Sequence, residues 1–245
     1  MRRSLTWALA GAAATSIALA PGAYAEEISS FDVDVTVGAD TVMDISETIV
    51  YDFESAERRG IFRDIPVRDY LDDGSARAYD IDVLSVTRDG SSEPYEIFDE
   101  GDYLRVRIGD PDITITGTHD YQIQYTVANG LTQYTQEQVD AIGIAELEPG
   151  DVEVYWDFIG GEWEAPIDQA RVRVEGPGPI LAYECFVGSA GSTIPCDVEI
   201  GTDSAVFASA RLYTGDSLTG ILAFPQEAFT APVEEVIEAP KADRL

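Results

Sequence analysis

The chain has 245 residues, enough for one large or two small domains, and its 45% hydrophobic content suffices to build a core. Charge is the outlier: 15 basic residues face 46 acidic ones for a net charge of −31, and Lys241 is the only lysine. A surface of that sign repels phosphate backbones and anionic lipid, which excludes nucleic acid as a partner and argues against direct lipid binding.

Residues 1–25 read as a secretory leader. Arg2 and Arg3 make a positive start, Leu5 to Ala20 form an apolar run, and Ala23-Tyr24-Ala25 place small residues at a cleavage site. Cleavage is expected between Ala25 and Glu26. The apolar run is short for a membrane span, no later stretch approaches about 18 apolar residues, and no lipid-acceptor cysteine follows it. The expected location is periplasmic or extracellular. If membrane-associated, the chain is expected to be so through a partner.

From Ile28 the hydrophobic period is two. Phe31, Val33, Val35 and Val37 alternate with Asp32, Asp34 and Thr36, as in a half-buried strand. After a turn at Gly38–Asp40, Met43, Ile45, Ile49, Tyr51 and Phe53 continue the alternation with Glu47 on the same side. A carboxylate there is either at an edge or half of a pair. The next stretch, RRGIFRDIPVR at 58–68, sets Arg58, Arg59, Arg63 and Arg68 against Asp64 alone. Guanidinium groups grip carboxylates bidentately, so Arg58, Arg59 and Arg63 are expected to clamp acids on neighbouring strands while Ile61, Phe62 and Ile65 pack inward. The functional alternative is a surface of Arg58, Arg59, Arg63 and Arg68 that receives an anion or a protein partner.

A turn at 72–75 precedes a strand over 79–87, and another turn at 88–91 follows it. Strands are then expected over Tyr103–Ile108 and 121–127. Turn signals about every ten residues argue for an antiparallel β-sandwich. Residues 136–147 form the one plausible short helix, closed by Pro149-Gly150.

In DVEVYWDFIGGEWEAPID, 151–168, a strand puts Val152, Val154, Trp156 and Phe158 on one face before Gly160-Gly161 break it. Each aromatic side chain buries about 150–250 Å², so the hairpin bearing Trp156 and Trp163 is expected to anchor the core. The alternative is an exposed aromatic ledge. Further strands are expected near 170–174, 180–186, 198–200, 205–212 and 217–224. Cys185 and Cys196 lie in the exported part and should form a disulfide, worth roughly 3 kcal/mol for so short a loop. After Pro225, alanine, proline and glutamate without periodicity read as a disordered tail or linker. The expected fold is thus an all-β antiparallel sandwich, with lobes at 26–128 and 151–225, a linker with a short helix at 129–150, and an acidic tail at 226–245.

Taken in order, ISSFDVDVTV with ISETIVYDF, RRGIFRDIP, LRVRIGDPD with TGTHDYQIQYTV, YWDFIGGEWEAPI and CFVGSAGSTIPC resemble the YciQ-like family of predicted bacterial membrane proteins. More specifically they are similar to its N-terminal extracytoplasmic domain of unknown function (domain of unknown function 2207), from about Ile28 to Pro225. The resemblance implies an exported all-β domain, followed in the family by transmembrane helices and a cytoplasmic segment. This chain stops after the acidic stretch, which leaves a soluble member or a gene interrupted before its membrane part. It also carries Asp157 where the family's tryptophan motif often has asparagine. No catalytic residue comes over with the resemblance.

His119, the only histidine, precedes a strand and is expected to stabilise a turn. The chain lacks G-x-S-x-G, H-E-x-x-H and G-x-x-x-x-G-K-[ST], and its GSAGS at 188–192 lies between the cysteines, not between a strand and a helix. A carboxylate pair beside Trp156 and Trp163 keeps open a secreted carbohydrate-active enzyme or a glycan- or calcium-binding domain. The acid pairs Asp32/Asp34, Asp80/Asp82 and Asp110/Asp112 do not make an EF-hand loop, so calcium has no motif and no cofactor, metal ligand or catalytic residue is assigned. The expected function is a non-enzymatic exported module that binds or positions a cell-envelope or membrane protein, a separate membrane subunit being one form of such a partner.

Overall fold

The computed structural model describes residues 26–71 and 74–239. The leader up to Ala25, two residues of the turn read at 72–75, and the last six residues with Lys241 lie outside the described residues. The described fold is all-β, with one short α-helix and a single 3₁₀ turn at Gln226–Ala228.

The period-two stretches became the main sheet. Its eight strands run, edge to edge, Asp197–Ile200, Ser204–Ser209, Ala170–Glu175, Glu27–Val37, Met43–Asp52, Thr118–Ala128, Asp80–Arg88 and Ser91–Ser92. Phe31, Val33, Val35 and Val37 are buried, whereas Asp34 and Thr36 face water. All neighbours are antiparallel except Glu27–Val37 and Ala170–Glu175, which run parallel with Phe31 opposite Ala170 and Val35 opposite Val174. A parallel pair needs a crossover, and here most of the chain supplies it.

Three smaller sheets complete the fold of the described residues. One holds Leu131–Gln133, Val152–Ile159, Ser217–Phe224, Ala182–Gly188 and Ile194–Pro195; another, Ile61–Pro66, Tyr103–Ile108 and Tyr95–Asp99; the last, Val236–Glu238, Ala76–Ala78 and Arg68–Tyr70. Phe31, Ile49, Tyr125 and Val172 of the large sheet share one core cluster with Trp156, Phe158 and Leu222 of the five-stranded sheet and with Ile61, Ile65 and Val106. The Phe158 and Phe207 rings meet across the layers at 6.4 Å. The expected division into lobes at 26–128 and 151–225 therefore does not hold. Three strands of the second stretch and five of the first join in one sheet, because the parallel seam sets Ala170–Glu175 beside Glu27–Val37.

The helix spans Gln136–Ile142. Thr135 caps it, its hydroxyl accepting from the Gln138 N–H while Gln138 accepts from the Thr135 N–H at 2.8 Å. It stops short of Leu147 because Gly143 turns left-handed, at φ 70°. The disulfide joins Cys185 and Cys196, with Cα atoms 5.5 Å apart. It links the five-stranded sheet to the start of the edge strand Asp197–Ile200.

Residues 226–239, read from composition as a disordered tail, are ordered. The Gln226 N–H donates to Asp151, Thr230 bonds the Ala39 carbonyl, and Val236–Glu238 pairs with Ala76–Ala78. Glu235 and Glu238 bind Arg77 and Arg68. The acids that suggested solvation are partners for two arginines.

Gly220 marks how close the layers lie: a Cβ there would sit 2.5 Å from the Phe207 ring and 2.7 Å from Phe158. Both rings are fully buried and have nowhere to go. Gly220→Ala is expected to lower stability by about 1–3 kcal/mol, read as a lower denaturant midpoint with unchanged slope. A wild-type midpoint would show that the layers relax apart freely.

Candidate functional site

The arginine stretch begins at a close approach of two backbones. Gly60 and Gly109 have φ of 120° and 126°, and a Cβ on either would fall within 1.9 Å of a carbonyl oxygen of the opposite strand's end. Only glycine fits such positions. Beyond Gly60 the strand Ile61–Pro66 sends Ile61, Arg63 and Ile65 inward, so Phe62 points outward and is 56% exposed. The expectation that Phe62 packs with Ile61 and Ile65 fails on the period of two, since the inward position between those isoleucines belongs to Arg63.

Arg63 and Glu47 are 1% and 0% exposed. Arg63 Nη2 and Nε donate to the Glu47 carboxylate at 2.7 and 2.9 Å, and the Tyr125 hydroxyl donates to the same carboxylate at 2.8 Å. Arg63 Nη1 donates to the Asp64 carbonyl at 2.5 Å and Nη2 reaches the Phe158 carbonyl at 3.5 Å. Burial opposes the charge on Arg63, but the Glu47 carboxylate overrides it and holds the guanidinium protonated. The inward carboxylate of the second strand is thus half of a pair, and Arg63 is a structural clamp with no surface for a partner.

The remaining arginines separate. Arg58 pairs with Glu26 at the edge of a cavity, and Arg59 is exposed with no ion pair among the described residues. Arg68 lies in another sheet, bound to Glu238 and to the Gly101 carbonyl. The four therefore do not form one anion-receiving surface. Trp156 and Trp163 are 2% and 7% exposed, the first against Tyr79 and the second edge-on to Phe31 with centroids 5.5 Å apart. They are core, and no aromatic ledge exists at either. His119 Nδ1 lies 2.7 Å from Asp89, whose carboxylate also accepts from the Asp120 N–H. Asp157 accepts a hydrogen bond from the Thr219 hydroxyl.

The arginine stretch and the tryptophan hairpin do meet, at a cavity of about 350 Å³. One wall is Arg58, Gly60, Ile61 and Phe62; the facing wall is Glu162, Trp163 and Glu164. Arg105 lies over the Phe62 ring at 5.5 Å and grips Asp64 with two bonds of 2.7 Å. Tyr51 donates to Glu26 at 3.0 Å. The cavity thus holds two guanidinium groups, each already paired, against four carboxylates. Arg105 escaped the arginine count of 58–68, although the alternation of Leu104, Val106 and Ile108 with Arg105 and Arg107 already placed it on an outward face.

These observations define an all-β domain whose buried polar groups order its core and whose distinctive motifs converge on one open cavity. Over residues 27–224 the chain matches the family described as predicted membrane protein (DUF2207) N-terminal domain, and it belongs to that family. It is 28% identical over 177 residues to the uncharacterized protein YciQ of Escherichia coli strain K12, covering 69% of this chain and 26% of that protein. The chain thus spans about a quarter of the curated relative it matches. Among solved structures it is similar to yeast LTA4 hydrolase in complex with bestatin, at TM-score 0.50 and 14% identity over 82% of this chain and 29% of that one. An M1 zinc metallopeptidase from Deinococcus radiodurans gives a TM-score of 0.42 at 12% identity, over 80% and 42% of the two chains. The likeness to the yeast enzyme is one of fold alone. Among the described residues, no helix is long and apolar enough to cross a membrane.

Removing Glu47 strands the buried Arg63. Glu47→Gln is expected to cost about 3–5 kcal/mol in chemical denaturation, and Glu47→Leu combined with Arg63→Met to restore most of it. A double variant no more stable than Glu47→Gln would show that the pair attracts more than its burial costs.

Burial also pushes the phenols of Tyr51, Tyr121 and Tyr125 up, and burial together with its bond to Glu162 takes Tyr103 to about 12. Unfolded tyrosines ionise near pH 10 while these stay protonated, so the stability they contribute is complete below about pH 10 and is lost as pH rises through 12. The unfolding midpoint should fall steeply across that window, with phenolate absorbance lagging behind free tyrosine. Simultaneous titration with free tyrosine would refute the assignment.

Proposed function

We propose that this chain is a non-enzymatic, exported module of an envelope protein, and that it holds another cell-envelope component through the cavity between Arg58, Phe62 and Glu162. One observation carries the reading. The motif RRGIFRDIP spends its period-two inward positions on the core, yet it sets an aromatic ring outward at the mouth of a cavity. Large aromatic side chains beside a paired arginine are the usual anchors of protein contacts. The family's description as predicted membrane proteins supports a partner in or at the membrane. The expected location is periplasmic or extracellular, and the expected partner is a protein, a separate membrane subunit included. No cofactor enters this reading.

The test is a crosslinking reagent at the cavity rim in the native host, comparing wild type with Phe62→Ala. The exposed ring contributes little to the fold, so the melting temperature should shift by less than about 2 °C. Recovery of one envelope protein should drop at least about tenfold. Equal recovery from both chains, or nothing crosslinked to wild type, would sink the proposal.

A further inference from the structure

The five-stranded sheet turns a second cavity to solvent, of about 330 Å³, which shares Glu162 with the first. Its floor is the outward face of Val152–Ile159 and Ser217–Phe224, where Asp157 lies opposite Thr219 and Tyr155 opposite Ile221. Tyr103 and Glu162 close one side, and the Gly188–Ser192 loop closes the other. That loop is a built wall: Ser192 Oγ donates to the Val187 carbonyl at 2.7 Å, Ser217 Oγ donates to the Gly188 carbonyl at 3.2 Å, and the Cys185–Cys196 disulfide anchors its base.

The chemistry of the lining is one-sided. Among the described residues it holds two carboxylates, two phenol rings and several hydroxyls, and no lysine, arginine or histidine. Tyr155 is 48% exposed, although a ring of that size in the middle of a strand would ordinarily be covered. The Tyr103 hydroxyl is engaged by Glu162, and its raised proton affinity reports burial and the surrounding negative charge. Asp157 accepts from Thr219 at one oxygen, and that bond leaves acceptor capacity on its carboxylate. Aromatic faces and carboxylates attract a positive group, through the ring quadrupole and through direct charge; Arg105 acts on Glu162 from the first cavity, whereas Asp157 has no ion pair among the described residues. The volume is at the lower end of ligand cavities, suited to one long side chain and not to a large molecule.

We infer that this cavity receives a lysine or arginine side chain presented by a basic, extended segment of the component that the module holds. The inference rests on the docking reading above and gives the partner its chemistry: a segment with at least one basic side chain placed to enter between Tyr103 and Tyr155. The acidic surface of the whole chain draws such a segment in, and the cavity selects where it settles.

The test is calorimetric titration of the full chain with tetra-arginine amide, at low and moderate salt, with a neutral tetrasaccharide as the second probe. Two double variants are compared. Tyr155→Ala with Asp157→Asn alters the cavity, and the asparagine keeps an acceptor for Thr219. Asp80→Asn with Asp82→Asn removes two charges from exposed positions of a strand elsewhere. The dissociation constant for tetra-arginine should rise at least about tenfold in the first variant and stay within about twofold in the second. Equal weakening in both, no weakening in either, no binding by wild type, or preferential binding of the tetrasaccharide would each overturn the inference. If peptide binding is unaltered but the Tyr155→Ala/Asp157→Asn chain still crosslinks its partner through the Phe62 rim, the cavity fails and the docking reading stands. If wild type binds tetra-arginine and nothing crosslinks at Phe62, the inverse holds.

Discussion

Everything in this fold is arranged about a guanidinium and a carboxylate that are both buried away from solvent. Glu47 belongs to the eight-stranded sheet, Arg63 to a three-stranded one, and the carbonyl of Phe158 to the five-stranded one, so a single side chain touches three of the four described sheets. Such a pair contributes little net attraction once its desolvation is counted. Its effect is exclusion. Any packing that slides one sheet by a residue sends Arg63 or Glu47 to the wrong face and leaves the other charge buried alone, a cost that few apolar contacts would offset. The apolar residues around it supply the driving force, while the pair selects one arrangement among those that would bury them equally well.

The long strands were legible because each carries its own evidence: four apolar residues at alternate positions in Glu27–Val37, and the same in Thr118–Ala128. The disulfide was legible because the chain holds two cysteines, close in sequence. Strands of two or three residues, such as Arg68–Tyr70 and Val236–Glu238, have too few positions to show a period, and their existence is decided by the partner they meet. The parallel seam was hidden because sequence distance says nothing of spatial adjacency between remote strands. At the candidate site, Glu47 on an inward face signalled a buried pair, yet nothing local chose Arg63 over Arg58 or Arg59. Phase along the strand made that choice, and the same phase turned Phe62 outward.

The core and the surface also divide the aromatic residues. Trp156, Trp163, Phe31 and Phe158 fill the space between layers, whereas Phe62 and Tyr155 stand on outward faces beside acids. Neighbours in sequence land on opposite sides, Tyr155 next to Trp156 and Phe62 next to Ile61. A likeness of fold at 14% identity to an enzyme therefore speaks to the inward half of each strand. The outward half is free to differ, and in this chain it is the half that carries both cavities.

The parallel seam has a consequence in time. Glu27–Val37 is the first described strand, and one of its two neighbours, Ala170–Glu175, lies roughly 140 residues further along the chain. At about 5–20 residues per second of synthesis, that neighbour is made on the order of ten seconds later. Until it arrives, the hairpin of the first two strands has an open apolar border, the kind of edge that recruits other chains. A polypeptide built this way gains from being kept extended until its second half is present, as threading through a membrane before folding would do.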